Sequence, residues 1–413
     1  MVNLWPISPI YKALTSRLIM NILLYIPKLD QSHGGVRQYS IALMRILAQD
    51  KHNTYFVYHN GSDQEVLSSL AVAPHLHRVM DSDVAKTTVQ AKIIRGKQII
   101  NFLSRRFSTG WQFKIDSLID RLIHKYKIDI IHCPYQFIPL TNNAKLIVTL
   151  HDVQEIHFPD FFTAEDRAYR AVNFLDFLRR ADEVVVSYRH IKNDLVKYFA
   201  IPPDKIQVVL LDMGKLWFER FTEADVLSLS ELNLPSPFIF YPANTWKHKN
   251  HSRLLRALAL LRDEYGCRVN LICSGHLNEH YEESLSMEMD ELNLHDQVRF
   301  LGIVDEQSLF SLYRHCLGVV VPTVYEAGSF PLMESILLKV PVICSSVTSL
   351  PETVDNPDFL FDPFDAESMA AKIKLLWTSE EFRQLSVANS NTVGWKLKHT
   401  RALEKLLSLY SGL

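Results

Sequence analysis

Short apolar runs rich in Val and Ile alternate with longer stretches of helical periodicity along nearly the whole chain. Ile22–Ile26, Thr54–Tyr58, Ile128–His132, Leu146–Leu150 and Glu183–Val186 read as buried strands, with helices over Val36–Leu47 and Ala164–Arg180. Pro202-Pro203, then Pro235 and Pro237, interrupt the series. It restarts with strands at Phe238–Tyr241, Asn270–Ser274, Gln297–Phe300, Gly318–Val321 and Val342–Cys344, and helices at His251–Arg262, Gln307–His315 and Pro331–Leu338.

Strands that are apolar throughout and separated by helices predict parallel sheets covered on both faces. Two such series predict an α/β chain of two doubly wound, Rossmann-like domains whose sheets face a central cleft, over residues 20–215 and 216–395. Residues 1–19 read as an extension, with Met20 as a natural alternative start, and 396–413 as a C-terminal helix with Leu403, Leu406, Leu407 and Tyr410 on one face. Ligands of doubly wound domains sit beyond the carboxyl ends of the strands, so polar residues directly after strands are the candidates for chemistry.

The chain has 413 residues, 47% hydrophobic and 22% charged, with a formal net charge of −2. That balance argues against a nucleic-acid partner, whose phosphates demand a basic surface. Cys133, Cys267, Cys273, Cys316 and Cys344 are scattered among apolar neighbours and read as reduced core thiols, which suits a reducing cytoplasm. No apolar run is long enough to span a bilayer. Leu18–Ile26 has a weak likeness to a signal-peptide core, but Pro27 and Lys28 stand where a small-residue cleavage site belongs.

The segment Tyr325-Glu326-Ala327-Gly328-Ser329-Phe330-Pro331-Leu332-Met333-Glu334 follows the strand ending at Val321 and opens an apolar helix. Gly328 permits a tight turn, Pro331 suits a helix start, and the free amides there attract phosphate. Phosphate repels carboxylates, so Glu326 and Glu334 are expected to face sugar or ribose hydroxyls, which an ionised carboxylate accepts strongly. The bland alternative makes Glu334 a helix-dipole partner in the first turn and Glu326 a solvated acid.

This segment resembles retaining glycosyltransferases of family 4, which have the GT-B architecture, and the match extends from Tyr325 through Ser345-Ser346-Val347-Thr348-Ser349-Leu350-Pro351-Glu352. The resemblance spans about residues 20–395. It implies that Glu326 contacts the transferred sugar, Glu334 the nucleotide ribose, and the amides from Gly328 through Ser329, Phe330, Pro331 and Leu332 the donor. It also implies that Lys249, in Tyr241-Pro242-Ala243-Asn244-Thr245-Trp246-Lys247-His248-Lys249, stabilises the leaving diphosphate. Many relatives carry an Arg about six residues earlier, where this chain has Ala243-Asn244. Asn244 and Lys247 are the candidates to compensate. Gly34-Gly35 resembles the glycine loop over the diphosphate, with Arg37 beside it on the acceptor side. His151 resembles the histidine beside the transferred sugar, with Asp152 as its neighbour on the acceptor side, placed to fix its tautomer. Ile303, in Val298–Val304, and Gly275 resemble loops near the base. The family has no obligatory enzyme nucleophile. It is usually explained by front-face attack, in which Glu326 and His151 stabilise and orient.

Read without the family, the Lys-His-Lys run is a solvated turn, the glycine pair a plain loop and His151 a structural residue. Asp81-Ser82-Asp83 copies a metal-binding pattern of another glycosyltransferase fold but reads as a surface loop. The 17 histidines form no metal motif, and metal-independent transfer without a cofactor is expected. From Lys86 to Lys127, ten basic residues face two acidic ones, and Ile93, Ile100, Leu103 and Phe107 share a helical face. That stretch reads equally as a core-packing helix or as a peripheral contact with anionic lipid (86–127). The resulting expectation is a cytoplasmic enzyme, peripheral on the inner membrane face. It moves a mannose- or rhamnose-like hexose from a nucleotide-sugar to a glycan or lipid-linked glycan in surface-polysaccharide synthesis. The alternatives are a non-catalytic nucleotide-sugar-binding partner and a GT-B hydrolase or epimerase.

Overall fold

The computed structural model describes residues 19–27, 34–61, 68, 75–84, 117–212, 217–279 and 281–413. Seven parallel strands form the first sheet: β1 (Asn21–Tyr25), β2 (Thr54–Tyr58), β3 (Leu76–Val79), β4 (Ile130–Cys133), β5 (Lys145–Thr149), β6 (Glu183–Val186) and β7 (Ile206–Val208), in the order β3-β2-β1-β4-β5-β6-β7. Six form the second: β8 (Ile239–Pro242), β9 (Leu271–Ser274), β10 (Val298–Phe300), β11 (Gly318–Val321), β12 (Val342–Ser345) and β13 (Leu360–Phe361), in the order β10-β9-β8-β11-β12-β13. All pairings are parallel. The central strands β4, β9, β11 and β12 are buried at every position, which is why their sequences are apolar without alternation.

Strand order reverses between β1 and β4 in one sheet and between β8 and β11 in the other. Open sheets gather ligands at such reversals, because the outgoing loops there diverge to opposite faces and leave a crevice.

Helices α1 (Gly34–Leu47), α2 (Leu118–Tyr126), α3 (Ala164–Arg180) and α4 (Arg189–Phe199) cover the first sheet, and α5 (His251–Tyr265), α6 (Glu306–His315), α7 (Phe330–Leu338), α8 (Leu350–Val354), α9 (Ala366–Thr378) and α10 (Glu380–Lys398) the second. Local chemistry sets several ends. Ser117 and Asp120 form a reciprocal capping box on α2, and Gly266 closes α5 in the left-handed region at φ +59°. The last helix, α11 (Ala402–Ser411), returns to the first domain. Ala402, Leu406 and Tyr410 are buried beside Ile22, Leu24 and Ile41, and the Tyr410 hydroxyl lies 2.8 Å from Nδ1 of buried His132. Burial pushes the His132 pKa down to about 3.

Three strands (β3, β7, β13) and helices α2, α4, α8, α9 and α10 extend the sequence-based element series. The pair Asp81-Asp83 lies in a helical turn just after β3, with Asp81 exposed and Asp83 half-buried, and Asp81 Oδ1 accepts the Tyr58 hydroxyl at 2.5 Å. Cys133, Cys273 and Cys344 are buried and Cys267 and Cys316 half-buried, all as free thiols. Residues 85–116, with most of the basic stretch, lie outside the described residues. Of its described part, Arg121 donates to the Val84 carbonyl and Lys125 to that of Asp83. No helix among the described residues is long and apolar enough to cross a membrane.

Candidate functional site

The loops after β8 and β11 meet at the reversal of the second sheet. Lys249 Nζ lies 2.5 Å from Glu326 Oε1, with both side chains largely shielded from solvent. Lys249 ends a short turn (Lys247–Lys249) and is followed by Asn250 in the left-handed region, φ +62°. The buried Asn250 amide donates to the carbonyls of Pro322 (2.8 Å) and Pro363 (2.9 Å), fixing the turn to the loops after β11 and β13. Glu326 is braced through its backbone. Its N–H donates to Thr348 Oγ1 (3.0 Å), and Ser349 Oγ donates to its carbonyl (3.1 Å). Thr348 sits at φ +53°, an uncommon strain for a β-branched residue.

Across the cleft, the first turns of α1 and α7 come close to one another. A Cβ on Gly35 stands 3.9 Å from the Phe330 ring, and neither helix has an acid in its first turn to offset its positive end. Between the domains lies a cavity of about 310 Å³, lined by Gly35, Tyr39, His151, Tyr188, Gly328 and Phe330 among others. His151 Nε2 is 2.9 Å from the Pro134 carbonyl. A carbonyl only accepts, so Nε2 carries the hydrogen. Burial lowers the ring's pKa, so His151 is neutral and Nδ1 is its acceptor atom.

Residues 229–391 match the family described as glycosyl transferases group 1, and residues 33–210 match glycosyltransferase family 4. The chain belongs to glycosyltransferase family 4. O-antigen chain mannosyltransferase B of Escherichia coli is 26% identical to this family 4 chain over 268 residues, spanning 64% of the chain and 70% of that protein. O-antigen chain mannosyltransferase RfbU of Salmonella typhimurium is 26% identical over 237 residues, 57% of the chain and 62% of that protein. A glycosyltransferase from Rickettsia africae superposes with a TM-score of 0.65 at 19% identity, covering 95% of the chain and 98% of its own. Anabaena HepE in complex with UDP and glucose gives a TM-score of 0.66 at 15% identity, over 95% and 100%. The fold is therefore GT-B, and the protein is a glycosyltransferase.

Several residues of this glycosyltransferase differ in setting from their sequence-based reading. Glu334 lies at the fifth position of α7, beyond the first turn, and is buried. Its Oε1 accepts the Trp217 indole N–H and its Oε2 the Tyr313 hydroxyl, both at 2.7 Å. Burial raises its pKa against these two bonds, and one lone pair per oxygen remains. His248 is not cationic: burial, then Lys249, pushes its pKa down to about 3. Asp152 does not set the tautomer of His151. Its Oδ1 accepts from Arg170 at 2.8 Å, and Arg170 also pairs with Glu155.

Asn244 Oδ1 accepts the His276 N–H (2.7 Å), tying the loop after β8 to that after β9, while the Lys247 side chain is exposed. Gly275, at φ +132°, donates to the Gly302 carbonyl (2.8 Å), and a Cβ there would meet the Ala243 carbonyl carbon at 2.6 Å. Ile303 is 79% exposed. Gly34 and Arg37 lie in the first turn of α1, and Ser329 Oγ caps α7 at the Leu332 N–H (3.5 Å), with Pro331 second in the helix.

Sequence reasoning missed Tyr39, whose ring meets His151 edge-on at 4.7 Å, and Tyr188, whose ring stands 3.1 Å from a Cβ built on Gly328. It also missed Arg170, Trp217 and Tyr313. Their partners are distant in sequence, so no local pattern marks them. Among the described residues, no group of three or more His, Cys, Asp or Glu side chains is placed to hold a metal.

Proposed function

We propose that the protein transfers a hexose, read as mannose, with retention from a nucleoside diphosphate sugar to a lipid-linked glycan of a surface polysaccharide, at the cytoplasmic face of the membrane. The observation that carries this reading is the Lys249–Glu326 pair, held in the loops after β8 and β11, just before the start of α7, which the start of α1 approaches at Gly35. The names of the O-antigen mannosyltransferases support the choice of sugar and pathway.

In this reading the α7 amides from Gly328 to Leu332 and the Gly34-Gly35 amides take the diphosphate. Lys249 swings from Glu326 to the leaving phosphate and stabilises charge as the glycosidic bond breaks. Glu326, released from its cation, accepts hydroxyls of the transferred sugar. His151 Nδ1 accepts a further hydroxyl, and the free lone pairs of Glu334 take the ribose. The acceptor hydroxyl attacks on the face the phosphate leaves, and its proton passes to that phosphate. Lys249 and the helix ends supply the positive charge, so the reaction is expected to run without a divalent cation. Full rate in excess EDTA is the expected result.

The test is release of nucleoside diphosphate from a panel of nucleotide-sugars, with and without lipid-linked glycan acceptors. Slow release alone and fast release with one acceptor supports transfer. Tight donor binding without turnover in any mixture contradicts it.

A further inference from the structure

Four aromatic rings line the carboxyl ends of β1, β2 and β4, beside the cavity but outside it. Tyr25 and Tyr58 stack with centroids 5.0 Å apart and planes within 5°. Phe137 lies 6.0 Å from Tyr25 at 26°, and Tyr135 lies 6.2 Å from Phe137 at 16°. Stacked carbons touch at about 3.5–4 Å, so near-parallel rings 6 Å apart are offset sideways like stair treads. Tyr58 is buried, Tyr25 and Tyr135 are half-buried, and Phe137 is 42% exposed.

Polar groups border the rings. The Tyr58 hydroxyl donates to Asp81 and accepts from Asn60 Nδ2 at 2.9 Å, and Asn60 Oδ1 accepts the Asp81 N–H at 3.1 Å. Two bonds hook the band to the cleft: His151 Nε2 donates to the Pro134 carbonyl, and Gln136 Nε2 to the Asp152 carbonyl at 3.3 Å. The aromatic treads thus begin next to the histidine that lines the cavity.

A pyranose presents C–H groups on its faces and hydroxyls around its rim. Offset aromatic faces with acceptors at their edge match both. A lipid headgroup matches less well, because the exposed carboxylate of Asp81, with half-buried Asp83 beside it, repels an anionic surface. We infer that the band formed by Tyr25, Phe137 and Tyr135 is a stacking platform for the acceptor glycan, which it delivers to His151. This inference rests on the transferase reading and names the acceptor side of the same site.

The test uses the full chain, its Phe137→Ala and Tyr135→Leu variants, and α-mannotriose as the probe. Phe137 is exposed and Leu keeps an apolar side chain at half-buried position 135, so both variants are expected to stay folded, with thermal midpoints close to that of the unaltered chain. Saturation-transfer NMR is expected to carry magnetisation from aromatic protons to the sugar C–H protons, at least fivefold less in each variant, while nucleoside diphosphate affinity is unchanged. No transfer in the unaltered chain, or undiminished transfer in both variants, overturns the platform. So does loss of binding to phosphatidylglycerol vesicles with mannotriose binding intact. Donor turnover is followed in parallel. Mannotriose bound on the rings with no turnover of any donor overturns the transferase reading and supports the platform.

Discussion

Lys249 Nζ and Glu326 Oε1 lie 2.5 Å apart, joining the loops after β8 and β11 where the strand order of the second sheet reverses. Each side chain is mostly withdrawn from solvent, so each neutralises the other until a ligand enters. A diphosphate offers Lys249 a stronger partner, and sugar hydroxyls offer Glu326 one. Lys249→Ala is therefore expected to lower kcat by about 100-fold or more. Donor-saturated initial rates check this, and a loss below tenfold removes Lys249 from the leaving-group role.

Trp217 and Tyr313 hold the Glu334 carboxylate from two sides. Glu334→Gln keeps the shape but loses the charged acceptor, so donor affinity is expected to fall by about 1.5–3 kcal/mol. Trp217→Phe removes one of the two bonds and is expected to weaken donor binding less than Glu334→Gln does. Calorimetric titration with the nucleoside diphosphate measures both, and unchanged affinity in Glu334→Gln contradicts the ribose assignment.

Stability should fall in acid for a specific reason. His132, His190 and His248 are held neutral, with pKa values pushed down by burial to about 3, 4 and 3. An unfolded histidine titrates near 6.5, so near pH 5 the unfolded chain binds about three protons more than the folded one from these residues. Their folded pKa values are depressed, so this contribution is fully present above about 6.5 and is lost as pH falls toward 4. Urea unfolding at pH 7.5, 6 and 5 reads the slope. A flat profile contradicts the buried neutral state.

Gly275→Ala combines a backbone strained for any L-residue, at φ +132°, with a contact of 2.6 Å to the Ala243 carbonyl carbon. The change is expected to destabilise the second domain by roughly 2 kcal/mol or more and to shift the base-side loops together. Chemical denaturation checks the first effect and donor affinity the second.

The central strands were legible because full burial writes itself as an unbroken apolar run, as in Val319-Val320-Val321. β3 was not, because its middle residues His77 and Arg78 are exposed at the sheet edge, and β13 is only two residues long. Glu326 and Lys249 were singled out in sequence because they follow strand ends in segments that resemble family 4 motifs, whereas the Lys-His-Lys run alone reads as a solvated turn. The environment of Glu334 could not: its donors are 117 and 21 residues away and come from different elements. The neutral state of His248 could not either, since exclusion of solvent by packed loops leaves no trace in a Lys-His-Lys run.

The most direct measurement is the transfer rate of Glu326→Gln set against its donor affinity. The account predicts that kcat falls by about 100-fold or more, because a neutral amide cannot match the charged acceptor, while nucleoside diphosphate affinity stays within about threefold, since the diphosphate is held by amides and Lys249. Retention of the full rate would place the chemistry away from the cleft between the two sheets.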